Sequence, residues 1–220
     1  AIVREIGNQR GEGSALGSLG LAYAALGDVN RAIGYYQQQL GIAREIGDRR
    51  GEGSALGNLG NAYLTQGEAR RAIDHYNLFY KIAREIGDRL GEGNALGSLG
   101  NAYLTLGETS NAIEFYEMRR NIASQLGDRR GESNALGNLG IAYARLGKVC
   151  EALLYYKQRL EIANKIDDKM GICSTLFNVG NLYIQNGQDK AAFVAWGKLY
   201  ILARQLNLAP ALQKLAKLAP

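Results

Sequence analysis

The decapeptide GEGSALGSLG at residue 11 returns as GEGSALGNLG at 51, GEGNALGSLG at 91 and GESNALGNLG at 131. A degenerate fifth copy, GICSTLFNVG, follows in register at 171. A period of 40 residues, held over most of a 220-residue chain, limits the fold more than any other feature. Each repeat must be one supersecondary unit that cannot bury its apolar face alone and so stacks on its neighbours. Five units therefore start at residues 13, 53, 93, 133 and 173. We number positions from 1 to 40 within each.

Position 15 is always glycine: Gly27, Gly67, Gly107, Gly147 and Gly187. Position 35 reads Gly7, Gly47, Gly87, Gly127, Asp167 and Asn207. Gly, Asn and Asp are the residues that best tolerate the left-handed backbone that ends a helix. Two stops per unit imply two helices, A and B. In the second unit the pattern predicts helix A near 49–66 and helix B near 69–86. Asp48, Asp88 and Asp128 follow the second stop and suit the N-cap of the next helix. Only two prolines occur, Pro210 and Pro220, and no strand alternation interrupts the pattern. The fold class expected is all-α, an α-solenoid of repeated antiparallel helix pairs.

The chemistry of common enzymes and metal sites is missing from this pattern. His75 is the single histidine, and it occupies a position where other units carry Tyr35, Phe115 or Tyr155, so packing is its expected role. One histidine and two cysteines, Cys150 and Cys173, give no zinc-ligand spacing and no nucleophile–histidine arrangement. No metal, cofactor or catalytic residue is expected. The glycines follow no strand and form no GxxxxGK[ST] phosphate loop. Glu52, Glu92 and Glu132 lie one unit apart, too far for paired acid–base work, and should pair with nearby arginines. Two cysteines do not make a disulfide framework, and a reduced, cytoplasmic setting is the default expectation. No run approaches 18 apolar residues, and neither a membrane span nor a signal peptide is read in the chain. The net charge of +5 is too weak to indicate nucleic acid by itself.

The residues at positions 7, 8, 11, 20 and 24 carry a family resemblance. They read Leu19-Gly20, Tyr23, Ala32, Tyr36; Leu59-Gly60, Tyr63, Ala72, Tyr76; Leu99-Gly100, Tyr103, Ala112, Tyr116; and Leu139-Gly140, Tyr143, Ala152, Tyr156. This pattern resembles the tetratricopeptide repeat and recurs in phase along essentially the whole chain. The unit is longer than the common 34-residue form and lacks its inter-unit proline. That longer form is similar to the repeats of Pins-type spindle-orientation adaptors and of kinesin light chains, which are protein-binding adaptors. The resemblance implies a right-handed superhelix in which helices A line the concave side.

Successive residues lie 100° apart around helix A. Positions 4, 7, 8 and 11, which read Leu, Leu, Gly, Tyr, share one arc and form the expected core stripe. Positions 2, 5, 6, 9, 12 and 13 share the opposite arc. In the second unit these are Ser54, Gly57, Asn58, Asn61, Leu64 and Thr65. In the third they are Asn94, Gly97, Ser98, Asn101, Leu104 and Thr105; in the fourth, Asn134, Gly137, Asn138, Ile141, Ala144 and Arg145. An ordinary solvated face would carry Lys and Glu, whereas this one is small, amide-rich and nearly uncharged. Given the concave side that the resemblance implies, Asn58, Asn61, Ser98, Asn101, Asn138, Asn178 and Asn181 would form a ladder able to donate to and accept from an extended backbone. Their alternative is bonding to neighbouring helices or water. Gly60, on the core arc, should admit a close approach of helix B. Gly57 either widens the groove or packs against an adjacent helix.

On helix B, positions 20 and 31 are small, Ala72 and Ala83 in the second unit. Position 27 reads Gln39, Phe79, Arg119, Arg159 and Leu199. Arg119 and Arg159 either pass the position-5 glycines to hold a carboxylate in the groove, or form inter-repeat salt bridges or snorkel to solvent.

The expected organisation is the end of a truncated preceding repeat at 1–12, five units at 13–52, 53–92, 93–132, 133–172 and 173–208, and a capping helix at 209–220. On that reading the chain opens inside a helix B, with further repeats upstream. The expected function is a non-enzymatic adaptor that captures an extended peptide of a partner protein in the groove, with apolar contact from Leu64, Leu104 and Ile141. A spacer or self-association role, acting through the repeat ends, is the alternative. Single-stranded RNA binding is the third reading, and it fits poorly because the groove arc is neither basic nor aromatic.

Overall fold

The computed structural model describes residues 8–209 and 212–213. Among these residues are ten α-helices and no strand. They are α1 (Gln9–Ala25), α2 (Val29–Glu45), α3 (Arg49–Thr65), α4 (Ala69–Glu85), α5 (Arg89–Thr105), α6 (Thr109–Leu126), α7 (Arg129–Arg145), α8 (Val149–Lys165), α9 (Lys169–Gln185) and α10 (Asp189–Gln205). Odd-numbered helices are the A helices and even-numbered ones the B helices. The second unit's pair, α3 and α4, falls within a residue of the expected bounds. The cap expected at 209–220 lies outside the described residues except for positions 209, 212 and 213. No helix among the described residues is long and apolar enough to cross a membrane.

Local chemistry sets the helix ends. Gly67 takes φ +81°, and the backbone N–H of Glu68 then reaches back to the Tyr63 carbonyl at 2.9 Å, satisfying a terminal acceptor of α3. Asp167 and Asn207 make the same stop without glycine, at φ +54° and +52°. Asp48 caps α3 by accepting from the Gly51 N–H at 3.1 Å; Asp88, Asp128 and Asp168 repeat this at 2.9 Å.

The chain comprises two compact units, Ala1–Ile122 and Ala123–Pro220. In the first, each helix packs on its neighbour in sequence from α1 to α5. The A helices also meet directly, α1 with α3 and α3 with α5, through Cα atoms within 8 Å. Among the described residues no such approach joins the B helices α2 and α4. A stack whose A layer is the closer-packed one curves toward that layer. The second unit repeats this arrangement, with α7 meeting α9 directly.

The core of the first unit is the predicted stripe. Leu59, Tyr63, Ala72, Tyr76, Leu99 and Ala102 are buried in one cluster with Ala32 and Tyr36. Its stripe equivalent in α1, Leu19, is 44% exposed. In the second unit Ala152, Tyr156 and Leu182 form one cluster, and Trp196, Leu199, Ala163 and Leu176 another. Burying a leucine of this kind is worth ~2 kcal/mol of transfer free energy.

The repeated glutamates each pair with an arginine of their own helix, and Glu52 and Glu92 also pair with Arg44 and Arg84 of the helix before. Glu52 is 7% exposed and accepts from Arg44 on α2 at 2.9 Å and from Arg49 at 2.5 Å. Glu92 pairs with Arg89, and Glu132 with Arg129 at 2.9 Å. Burial alone would raise the Glu52 carboxyl, but its hydrogen bonds from Arg44 and Arg49 outweigh that and hold it below its ordinary value.

Candidate peptide-binding face

Of the predicted face, the position-5 glycines Gly97 and Gly137 are buried, while the residues that carry side chains toward a ligand are not. Ser54, Asn61, Thr65, Asn94, Asn101, Thr105, Asn134 and Arg145 are exposed. Asn58, Leu64, Ser98, Leu104, Asn138, Ile141, Asn178 and Asn181 are half-buried, as are Arg119 and Arg159. The opposite arc of α3 is fully buried at Leu56, Leu59, Gly60 and Tyr63. Helix A thus separates a core stripe from an open, uncharged one, as its 3.6-residue period requires.

The amides are not all free for a ligand. The Tyr76 hydroxyl on α4 donates to Asn61 Oδ1 at 2.7 Å, and Tyr116 on α6 donates to Asn101 Oδ1 at 2.8 Å. The Ser98 hydroxyl on α5 lies close enough to favour the charged form of the Tyr76 phenol. The Tyr76 bond joins α4 to the open face of α3. It uses the Asn61 carbonyl, and no partner for the Asn61 amide nitrogen exists among the described residues. Asn61 is thereby oriented from within and keeps two N–H donors for a carbonyl outside.

The glycines divide as follows. A Cβ at Gly60 would stand 2.6 Å from Tyr76 Cδ1, so this glycine exists for the close approach of α4. Gly57 serves packing as well: the Phe79 ring lies 3.4 Å from where its Cβ would be. The same relation recurs at every intact unit. Gly17 lies beneath the Gln39 amide, Gly97 beneath the Arg119 side chain and Gly137 beneath that of Arg159. The position-27 side chain of helix B therefore lies directly against helix A at the position-5 glycine. Arg119 Cδ would come within 2.8 Å of a Cβ at Gly97, and Arg159 Nη1 within 2.6 Å of one at Gly137.

Arg159 arrives there without a direct ion pair, although the charge of Asp168 still acts on it. Its Nε is buried with no hydrogen-bond partner, and among the described residues it makes no ion pair. Burial pushes its guanidinium down from its ordinary value, while the charges of Asp168 and Tyr156 act the other way. A desolvated, unpaired cation is costly unless something anionic meets it.

The sequence did not mark Gln39 and Phe79 as part of this face, nor the hollow between α1 and α3. That hollow, about 510 Å³, is bordered by Arg10, Ser14, Gln39, Asp48, Arg50 and Ser54. Arg10 and Asp48 pair across it at 3.2 Å. The available signal was the recurrence of glycine at position 5 opposite a long side chain at position 27. His75 has the packing role expected: its ring lies 5.0 Å from that of Tyr63, and Nδ1 meets the Arg71 carbonyl at 2.9 Å. In the first unit Tyr23 and Tyr35 stack in the same place at 5.3 Å. Among the described residues no cluster of three metal-ligating side chains occurs.

This architecture, a stack of two-helix units with a buried Leu-Gly-Tyr stripe and an open opposite face, defines a helical-repeat protein. The Tetratricopeptide repeat profile matches residues 11–85 and 92–165, and the chain belongs to that family. No protein of curated function matches the sequence. Several solved structures share the fold. Repeats of a putative kinesin light chain from Podosopora anserina, nearly identical to one another and TPR-like, superpose with a TM-score of 0.74 at 18% identity, over 89% of this chain and 96% of that one. BtubC (BKLC) from P. vanneervenii gives 0.78 at 19% identity, over 94% and 92%. A Rap protein in complex with competence and sporulation factor gives 0.79 at 15% identity, over 92% of this chain but 57% of that one. At these identities the likeness is one of fold.

Proposed function

We propose that this chain is a non-enzymatic scaffold that captures an extended segment of a partner protein on the A-helix face. The observation that carries the reading is the accessibility of that face: its asparagines, hydroxyls and leucines are exposed or half-buried while the opposite stripe is sealed in the core. In the first compact unit the Asn61 amide supplies fixed donors for a partner's backbone carbonyls and Leu64 and Leu104 supply apolar contact; in the second, Ile141 supplies apolar contact on its own A-helix face. The unpaired Arg159 favours a partner segment that brings a carboxylate. The Rap structure, a member of the same fold class with a bound factor, is consistent with a binding role. Catalysis has no place in this reading, since the face offers amides, hydroxyls and glycines rather than an acid–base pair. Nucleic acid and membrane are not its partners, because the face is nearly uncharged.

The test is capture from a nuclease-treated lysate by the wild type, by Asn61→Ala/Asn101→Ala and by Tyr76→Phe, each checked for unchanged helicity. The reading expects a protein retained by the wild type and by Tyr76→Phe, and lost by the asparagine variant. Equal capture by all three would remove the site from the asparagines. A second reading, association end to end, draws on Phe193, Val194 and Ile201 of α10, which are half to three-fifths exposed at 50%, 61% and 60%. A mass that rises with concentration, with no partner captured, would favour it.

A further inference from the structure

We infer that the position-27 side chains of helix B, seen through the position-5 glycines of helix A, are the specificity-reading groups of the first unit. The inference rests on the peptide-capture reading above. In order from α1 to α5 they present an amide, an aromatic ring and a guanidinium: Gln39 over Gly17, Phe79 over Gly57, Arg119 over Gly97. The partner segment is then an extended peptide carrying a hydrogen-bonding polar side chain, an apolar side chain and an acidic side chain, in that order along the groove.

Two independent observations support a ligand rather than a packing device. Gln39 is only 8% exposed, yet its Oε1 has no hydrogen-bond partner. A buried acceptor left unmade costs ~1–3 kcal/mol, and the Gln39 amide borders the hollow of about 510 Å³ between α1 and α3. A donor entering that hollow would satisfy it. The second observation is variation in chemistry at constant geometry. Positions 4, 7, 8, 11, 20 and 24 barely change between the first three units, whereas position 27 passes from neutral amide to aromatic to cation. A position fixed by packing alone should hold one size and polarity, because the glycine beneath it does not change. The fifth unit shows the converse, with Phe177 in place of the glycine and Leu199 buried in the core beneath it.

The spacing follows from the stack. Consecutive A helices that touch have axes about 10 Å apart, and an extended chain advances about 3.3 Å per residue. One reading position therefore recurs about every third residue of the partner, giving polar-x-x-apolar-x-x-acidic. The chain direction is left to the asparagine donors.

The probe is a displayed library of random 12-residue peptides, selected on the whole chain. Wild type should enrich peptides with that order and spacing. Arg119→Gln, which still fits over Gly97, should lose the acidic preference and keep the apolar one. The exchange Phe79→Arg/Arg119→Phe should reverse the order of the apolar and acidic preferences. With a selected synthetic peptide, replacing its acidic residue by the amide should weaken binding to wild type roughly tenfold and to Arg119→Gln less than roughly twofold. If the exchange variant does not fold, the Arg119→Gln comparison decides alone. Peptides that are lost on Asn61→Ala/Asn101→Ala but indifferent to Arg119→Gln would overturn this inference and leave the groove reading standing. Enrichment of no peptide by folded wild type would overturn both.

Discussion

The Tyr76 hydroxyl donates to Asn61 Oδ1 at 2.7 Å, joining the core of the helix pair to its open face. A single bond thus serves both fold and site. Tyr76 is 1% exposed, so its hydroxyl cannot turn to water when Asn61 is removed. Tyr76→Phe should cost ~1 kcal/mol in chemical denaturation, and Asn61→Ala ~1–3 kcal/mol because it strands a buried donor. The double variant should fall short of the sum by ~0.5–1.5 kcal/mol. Strict additivity would show that the bond contributes nothing.

Burial pushes the Tyr76 hydroxyl up to about 12, with the nearby Ser98 hydroxyl pulling the other way. Tyr156 is likewise raised to about 12 by burial, with Arg159 opposing. An acid whose folded pKa lies above its unfolded value of about 10 favours the folded state below pH ~10, and that stability is lost as pH rises toward 12. Melting temperature should therefore fall through this window, and Tyr76→Phe should flatten the fall. A flat wild-type profile from pH 10 to 12 would contradict the burial of both phenols.

Two glycines on helices should respond in opposite directions to alanine. Gly60→Ala places a methyl against the Tyr76 ring, which is locked in the core, and should destabilise by ~1–3 kcal/mol despite better helix propensity. Gly41 lies within α2, exposed, with nothing within 4 Å of where a methyl would stand, and Gly41→Ala should stabilise by ~0.5–1 kcal/mol. Thermal denaturation of the two variants reads both signs.

The depressed Glu52 carboxyl makes a stability contribution that is complete above its unfolded pKa of about 4.3 and is lost as pH falls through the lower folded value. Glu52→Gln should cost ~1–3 kcal/mol at neutral pH and make the remaining stability less steep in acid. Parallel acid limbs for variant and wild type would remove the Arg44–Glu52–Arg49 link from the balance.

The sequence alone determined the units of this protein. The left-handed stops at positions 15 and 35, the aspartate caps and the 3.6-residue period of the stripe act within a few residues of each other, so spacing suffices to read them. It also marked which arc of helix A stays open, because an uncharged amide face contrasts with a Leu-Gly-Tyr one. What only the tertiary structure decided is how helix B uses the space helix A leaves. That Gln39, Phe79 and Arg119 lie against glycines, and that Asn61 and Asn101 already hold tyrosine hydroxyls 15 residues away, depends on the distance between helices and on side-chain rotamers. Neither quantity is written in the order of residues along one helix. Both arise only when the two helices pack.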